Sequence, residues 1–126
     1  MEHKFGVEIV PAGDAVVLAL AGDVDGGSTE LGEAYDRATA GSGRQEVILD
    51  FTAVEYINSS GIALIVSVLA RARAAKRHMA AVGLTDHYRQ IFEITRLSDF
   101  IELRQGPAEP TGLAESAGRP QAAGEV

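Results

Sequence analysis

The chain has 126 residues, the length of one ordinary domain, which excludes a large multidomain enzyme. Hydrophobic residues make up 46% and charged residues 23%, enough apolar material for a core and too much for wholesale disorder. Eleven Lys and Arg against eighteen Asp and Glu give a net charge of −7, which disfavours direct binding to nucleic acid or an anionic membrane; with no cysteine there is no disulfide frame, thiol nucleophile or Cys-ligated zinc site.

Met1-Glu2-His3-Lys4 leads into Phe5-Gly6-Val7-Glu8-Ile9. This segment alternates and does not form a basic region followed by an apolar run, so no targeting segment is expected and the chain reads as cytoplasmic. Phe5, Val7 and Ile9 have the period-2 spacing of a half-buried strand. Pro11 to Asp14 is a turn, and Ala15 to Ala21 a second apolar strand, which together predict a hairpin. Gly22-Asp23-Val24-Asp25-Gly26-Gly27 breaks the pattern. Ser28 or Thr29 then offers an N-cap to a helix with Leu31, Ala34, Tyr35 and Ala38 on one face, and Glu30 and Glu33 at its positive end. Gly41-Ser42-Gly43 ends it. Glu46 to Phe51 reads as an inner strand.

Tyr56-Ile57-Asn58-Ser59-Ser60-Gly61 forms the next break. A helix is predicted from about Ser60 to Lys76, with Ile62, Ile65, Val66, Leu69 and Ala72 at helical spacing and Arg71, Arg73, Lys76 and Arg77 at its negative end. His78 to Val82 reads as a strand. Thr85-Asp86 can cap a third helix carrying Tyr88, Ile91, Phe92 and Thr95, and Phe100 to Leu103 reads as a last short strand. From Gly106 the composition shifts: residues 106–126 hold three of the four prolines, four glycines and five alanines, with Leu113 and Val126 the only large aliphatics. Such a segment buries too little to offset its ordering entropy, so 106–126 is expected to be a disordered tail. The order β-β-α-β-α-β-α-β predicts a single α/β domain over residues 1–105, with a mixed four- to five-stranded sheet and crossover helices.

Signals for catalysis are thin. His3, His78 and His87 have no metal-ligand spacing and read as surface or boundary residues. No nucleotide-cradling glycine motif is present, so no cofactor of the chain's own is expected. Asp23, Asp25 and Asp50 could suggest a divalent-ion pocket, but the only lysines, Lys4 and Lys76, are misplaced for a receiver-type site. The basic run 71–77 reads as a solvated helix end or a partner-docking patch. The informative segment is Asn58-Ser59-Ser60-Gly61, where two hydroxyls meet the start of a strongly apolar helix. Simple N-capping accounts for these residue types. The same free N–H groups can also hold an anion, so a phosphoryl group on a serine is accommodated. Its charge of about −1.5 to −2 would be felt by Asp23 and Asp25, giving an electrostatic switch.

These segments carry a resemblance. Leu20-Ala21-Gly22-Asp23-Val24-Asp25 resembles the L-x-G-[ED]-[LIV]-D loop of STAS-domain anti-sigma factor antagonists. Val47 to Phe51 followed by Tyr56-Ile57-Asn58-Ser59-Ser60-Gly61-Ile62 is similar to their strand and D-S-[ST]-G-[LI] phosphorylation motif. Ile91-Phe92-Glu93-Ile94-Thr95 resembles their later helix. The resemblance implies a partner-switching regulator of sigma-factor-dependent transcription that is not an enzyme. It binds an anti-sigma factor that is also a GHKL-type serine kinase, and a PP2C-type phosphatase restores it. It implies phosphorylation at Ser59, with Ser60 the second choice, and a partner surface of Asp23, Asp25, Asn58, Ser60 and Gly61. ATP and magnesium belong to the kinase. Asn58 stands where Asp is commonest. Arg96 replaces the usual Gly after the third helix, where a left-handed cap would strain it. The usual C-terminal helix has no counterpart in the tail. Two other readings remain: a non-switching STAS scaffold or accessory subunit of a signalling or lipid-transport complex, and a small enzyme using Ser59 as nucleophile, which needs a base within roughly 3 Å.

Overall fold

In a computed structural model of the protein, residues 3–41 and 43–105 are described. The expected tail, 106–126, lies outside them. The first two strands, β1 (Gly6–Ala12) and β2 (Ala15–Val24), form the antiparallel hairpin that the alternation predicts, in register from Gly6↔Ala21 to Ala12↔Ala15. Helix α1 (Glu30–Thr39), β3 (Glu46–Ile57), helix α2 (Ser59–Ala74), β4 (His78–Val82), helix α3 (Asp86–Ile94), a 3-10 turn (Leu97–Asp99) and β5 (Glu102–Leu103) follow. The sheet runs β1-β2-β3-β4-β5, and every pairing after the hairpin is parallel.

Because each crossover moves one strand further in the same direction, right-handed connections put all three helices on one face. The buried side chains bear this out. Leu31, Ala34, Tyr35 and Ala38 of α1, Ile65, Val68, Leu69 and Ala72 of α2, and Phe92 of α3 share one core with Val16, Leu18, Leu20, Val47, Leu49, Phe51, Met79 and Ala81. Phe51 and Phe92 meet edge-to-face with centroids 6.0 Å apart. The alternate strand residues Ala15, Val17, Ile48, Ala80 and Val82 form a second, smaller cluster.

Several boundaries differ from the sequence expectation. Strand β3 does not stop at Phe51 but continues to Ile57. Two irregularities in its pairing with β2, between Ala19 and Ala21 and between Gly22 and Asp23, break the alternation that marks a strand in sequence. They also carry β3 far enough for its last residues to lie beside the end of β2, at Asp23↔Tyr56 and Val24↔Ile57. Helix α2 begins at Ser59, one residue earlier than expected, and ends at Ala74. Lys76 takes a left-handed conformation (φ 59°) just past it, the Lys76 N–H donating to the Arg73 carbonyl and the Arg77 N–H to the Ala72 carbonyl. This is a Schellman closure without glycine. Arg96, standing where the resemblance has glycine, takes the left-handed cap of α3 (φ 69°), and its Nε pairs with Asp99 at 2.9 Å. Phe100 and Ile101 precede the last strand rather than form it. Val66, placed on the apolar face of α2 by its spacing, is exposed, and Val68 is buried instead.

Candidate functional site

The carboxyl ends of β2 and β3 lie side by side, so the loop after β2 and the start of α2 share one edge of the sheet. The Asn58 N–H donates to the Val24 carbonyl at 3.1 Å and ties the two. Tyr88 of α3 supports the same junction: its hydroxyl accepts from the Ile57 N–H at 2.9 Å. Sequence reasoning missed that role. An aromatic at helical spacing reads as core, and only the extension of β3 to Ile57 brings a backbone donor within its reach. Gly61 faces the Val24 backbone so closely that a Cβ there would overlap the Val24 carbonyl oxygen. The glycine therefore sets how near α2 starts to β2.

Asn58 is the N-cap of α2. Its backbone is extended, its Oδ1 accepts from the Gly61 N–H at 2.8 Å, and its carbonyl accepts from the Ile62 N–H at 2.9 Å. Ser59 and Ser60 are then the first two helical residues, and both are exposed. Among the described residues, neither hydroxyl makes a hydrogen bond and neither backbone N–H finds an acceptor. The first turn of α2 carries no acidic side chain, unlike that of α1, which has Glu30 and Glu33. The positive end of the α2 dipole is thus uncompensated by its own residues.

The loop after β2 is ordered by its own polar groups. Asp25 Oδ1 accepts from the Gly27 N–H at 2.8 Å, and its backbone N–H donates to Ser28 Oγ at 3.0 Å. Ser28 is buried and donates onward to the Asp23 carbonyl at 3.2 Å. It therefore braces the loop, and neither it nor Thr29 caps α1 with its side chain. Gly26 lies against α2: a Cβ there would come 3.3 Å from the Ser60 Cβ. Asp23 is turned the other way, toward the residues before β1. Its Oδ2 accepts from the His3 N–H at 3.2 Å, and the His3 ring nitrogen Nδ1 lies 3.6 Å from Oδ1, a buried oxygen with no hydrogen bond among the described residues. Asn58, Ser59, Ser60, Gly61 and the Asp25-Gly26 loop come together. Asp23 lines one cavity with Asp25, Gly27 and Ser28, while its carboxylate reaches the residues before β1.

The ionic groups outside this edge arrange differently from the sequence expectation. Asp50 accepts from the Thr52 N–H and hydroxyl on its own strand, at 3.0 and 2.6 Å. His78, read as an ordinary boundary histidine, sits at the opposite end of the sheet beside Glu46 and Glu102. The three ligand-type atoms lie within 4.8 Å of one another. Arg104 pairs with both carboxylates in the same cluster, so a fixed cation already occupies the place a metal would take. Its hydrogen bond, with a further one from His78, holds the Glu102 carboxyl below the usual carboxylate range despite partial burial. Of the histidines, His3 donates its N–H to Asp23 and His78 bonds to Glu102.

A mixed sheet with three helices on one face, and an exposed serine pair opening the second helix beside the Asp25-Gly26 loop, defines a small α/β domain. The family model described as Mlab, STAS domain matches residues 8–105, and the chain belongs to that family. It is 34% identical over 64 residues to the anti-sigma-B factor antagonist of Listeria monocytogenes, covering 51% of this chain and 56% of the relative. The chain thus matches little more than half the length of that curated relative. In fold it is similar to the anti-sigma factor antagonist SpoIIAA. The unphosphorylated form gives a TM-score of 0.59 at 20% identity, covering 84% of this chain and 90% of that one. The phosphorylated form of SpoIIAA, from Bacillus, gives a TM-score of 0.59 at 20% identity, covering 80% and 91%.

Proposed function

We propose that this protein is an anti-sigma factor antagonist that works by partner switching. Unphosphorylated, it binds an anti-sigma factor that is also a GHKL-type serine kinase. Phosphorylation on Ser59 weakens that binding and releases the partner, and a PP2C-type phosphatase restores it. The observation that carries this reading is the state of the α2 start: an exposed Ser59 hydroxyl without an internal partner, at a helix end without acidic residues, next to the Asp25-Gly26 loop. The N–H groups and dipole that leave the end uncompensated can accept a phosphate without unfolding the helix. The cost falls on the complex, because a doubly charged group in a docking surface that includes Asp25 must lose solvent beside a like charge.

The remaining residues take supporting roles. Asn58 fixes the first turn, Gly61 sets its distance from β2, and Ser60 fills the contact with Gly26. Asp23 acts one step back, by bracing the chain before β1. The chain performs no catalysis in this scheme, and ATP and magnesium enter with the kinase. The functional unit is residues 1–105, and a chain cut after Gly106 should melt within a few degrees of the parent. Intact mass after incubation with a purified anti-sigma factor kinase and ATP tests the reading. One added phosphate is expected on the parent and on Ser60→Ala, and none on Ser59→Ala. A phosphate mapped to Ser60 would overturn the site assignment.

A further inference from the structure

The other half of α2 carries an apolar groove that the Ser59 end does not explain. Val66, Leu69 and Ala70 of α2, with Leu97 and Phe100 beyond α3, enclose about 210 Å³, and Arg73 is its one charged wall. Val66 is 42% and Phe100 50% exposed, uncommon for large apolar side chains that share a concave surface. The Arg73 guanidinium lies 4.8 Å from the Phe100 ring centroid.

We propose that this groove is a second contact area for the same anti-sigma factor. It takes one large apolar side chain of a partner helix, with a carboxylate three or four residues away pairing with Arg73. The inference rests on the reading of the chain as an antagonist and extends it to a surface remote from the phosphorylation site. Charge argues for that occupant. Two neighbouring cations are used internally: Arg71 pairs with Asp36 at 3.0 Å, and Arg77 donates to the Arg44 carbonyl at 2.9 Å. Arg73 makes no ion pair among the described residues; its guanidinium lies over the Phe100 ring, so the groove offers an apolar seat with a cation at its rim that no carboxylate neutralises. An acidic amphipathic helix satisfies both features.

Helix geometry joins the groove to the switch. Ser59, Ala63, Val66, Ala70 and Arg73 follow one another at spacings of three and four, which places them on one face, and all are exposed. From Ser59 to Arg73 that face is roughly 21 Å long, within reach of one partner surface lying along α2. It also exceeds the Debye length of about 8 Å at physiological salt. A phosphate on Ser59 therefore leaves the groove contact untouched. The groove supplies affinity common to both states, and Ser59 sets the difference between them.

The test titrates each anti-sigma factor of the source genome, purified singly, with the parent chain, Val66→Asp, Arg73→Glu, Ser59→Asp and the paired variants. Unchanged melting temperatures check the fold, since Val66 and Arg73 are both surface residues. For the factor that binds the parent, each groove variant should raise Kd about tenfold, by the same factor with and without Ser59→Asp. Groove variants at parental Kd, with Ser59→Asp weakened, would overturn the groove and leave the switch standing. The opposite pattern would keep the groove as a contact and end the switch reading. If no factor binds the parent, both fall. A parent dimer abolished by Val66→Asp would assign the groove to self-association and also overturn the inference.

Discussion

The two ends of the sheet handle their polar groups in opposite ways. At the amino ends of β3 and β4, Glu46, His78, Glu102 and Arg104 close on one another, with Glu46 only 7% exposed and paired to the guanidinium. At the carboxyl ends of β2 and β3, the polar groups that are satisfied, Asn58, Asp25 and Ser28, shape the backbone, while the Ser59 and Ser60 hydroxyls are left to solvent. The first end spends its charges on holding strands together. The second holds a backbone shape so that two hydroxyls and a helix end stay available. Removing a group should therefore cost stability at the first end and recognition at the second, except where the second end's own scaffold is struck.

The sharpest exception is Gly61→Ala. Its Cβ would meet the Val24 carbonyl, backbone that cannot move without opening the β2–β3 junction. A loss of about 3 kcal/mol is expected, read as a lower midpoint in urea unfolding, and phosphorylation of the folded fraction should also slow. Parental stability would mean that α2 does not start where the structure puts it.

Arg104→Ala strikes the other end. It leaves the nearly buried Glu46 without its guanidinium and should cost about 2 kcal/mol with no change in phosphorylation rate. The pH dependence follows from the other carboxylate that Arg104 holds, Glu102. Glu102 has its carboxyl pKa lowered in the folded state, chiefly by Arg104. Its contribution is fully present above the unfolded value, about 4.3, and is lost as pH falls through the depressed folded value. The parent should therefore lose stability on acidification below about pH 4.3, and Arg104→Ala should lose less over the same interval. Matched urea midpoints at pH 7 and pH 3 check this, and parallel losses in the two proteins would break the assignment.

Asn58→Ala should have a smaller effect on the fold, about 1 kcal/mol for the lost cap. Asn58→Asp should stay within a few tenths, because a carboxylate suits a helix N-terminus. Melting temperatures at pH 7 separate the two, and an equal drop in both would remove Asn58 from the cap.

Much of this architecture is legible in the residues. The alternation of Phe5, Val7 and Ile9, the run Val47-Ile48-Leu49 and the Thr85 cap predict elements that form as expected, and Thr85 Oγ1 accepts from the Tyr88 N–H at 3.3 Å. The second half of β3 was hidden because its irregular pairing destroys the period-2 signal: Thr52, Ala53, Glu55 and Tyr56 all face solvent. The Glu46–His78–Glu102–Arg104 cluster was hidden for another reason. Its members come from β3, β4, β5 and the residue after β5, Glu46 and Arg104 being 58 positions apart, and the registers Glu46↔His78 and Ala80↔Glu102 bring them together. At the candidate site, the motif placed Ser59 at a helix start, but the direction of the Asp23 carboxylate depends on His3, which no local pattern links to it.

The charge on Ser59 as the determinant of partner affinity is tested most directly by one pair of titrations. An anti-sigma factor, the partner proposed for this chain, is titrated with unphosphorylated protein and with protein stoichiometrically phosphorylated on Ser59, at the same ionic strength. The phosphorylated form should bind at least tenfold more weakly, about 1.4 kcal/mol or more, with an unchanged circular dichroism spectrum. Equal dissociation constants for the two forms would contradict the switch.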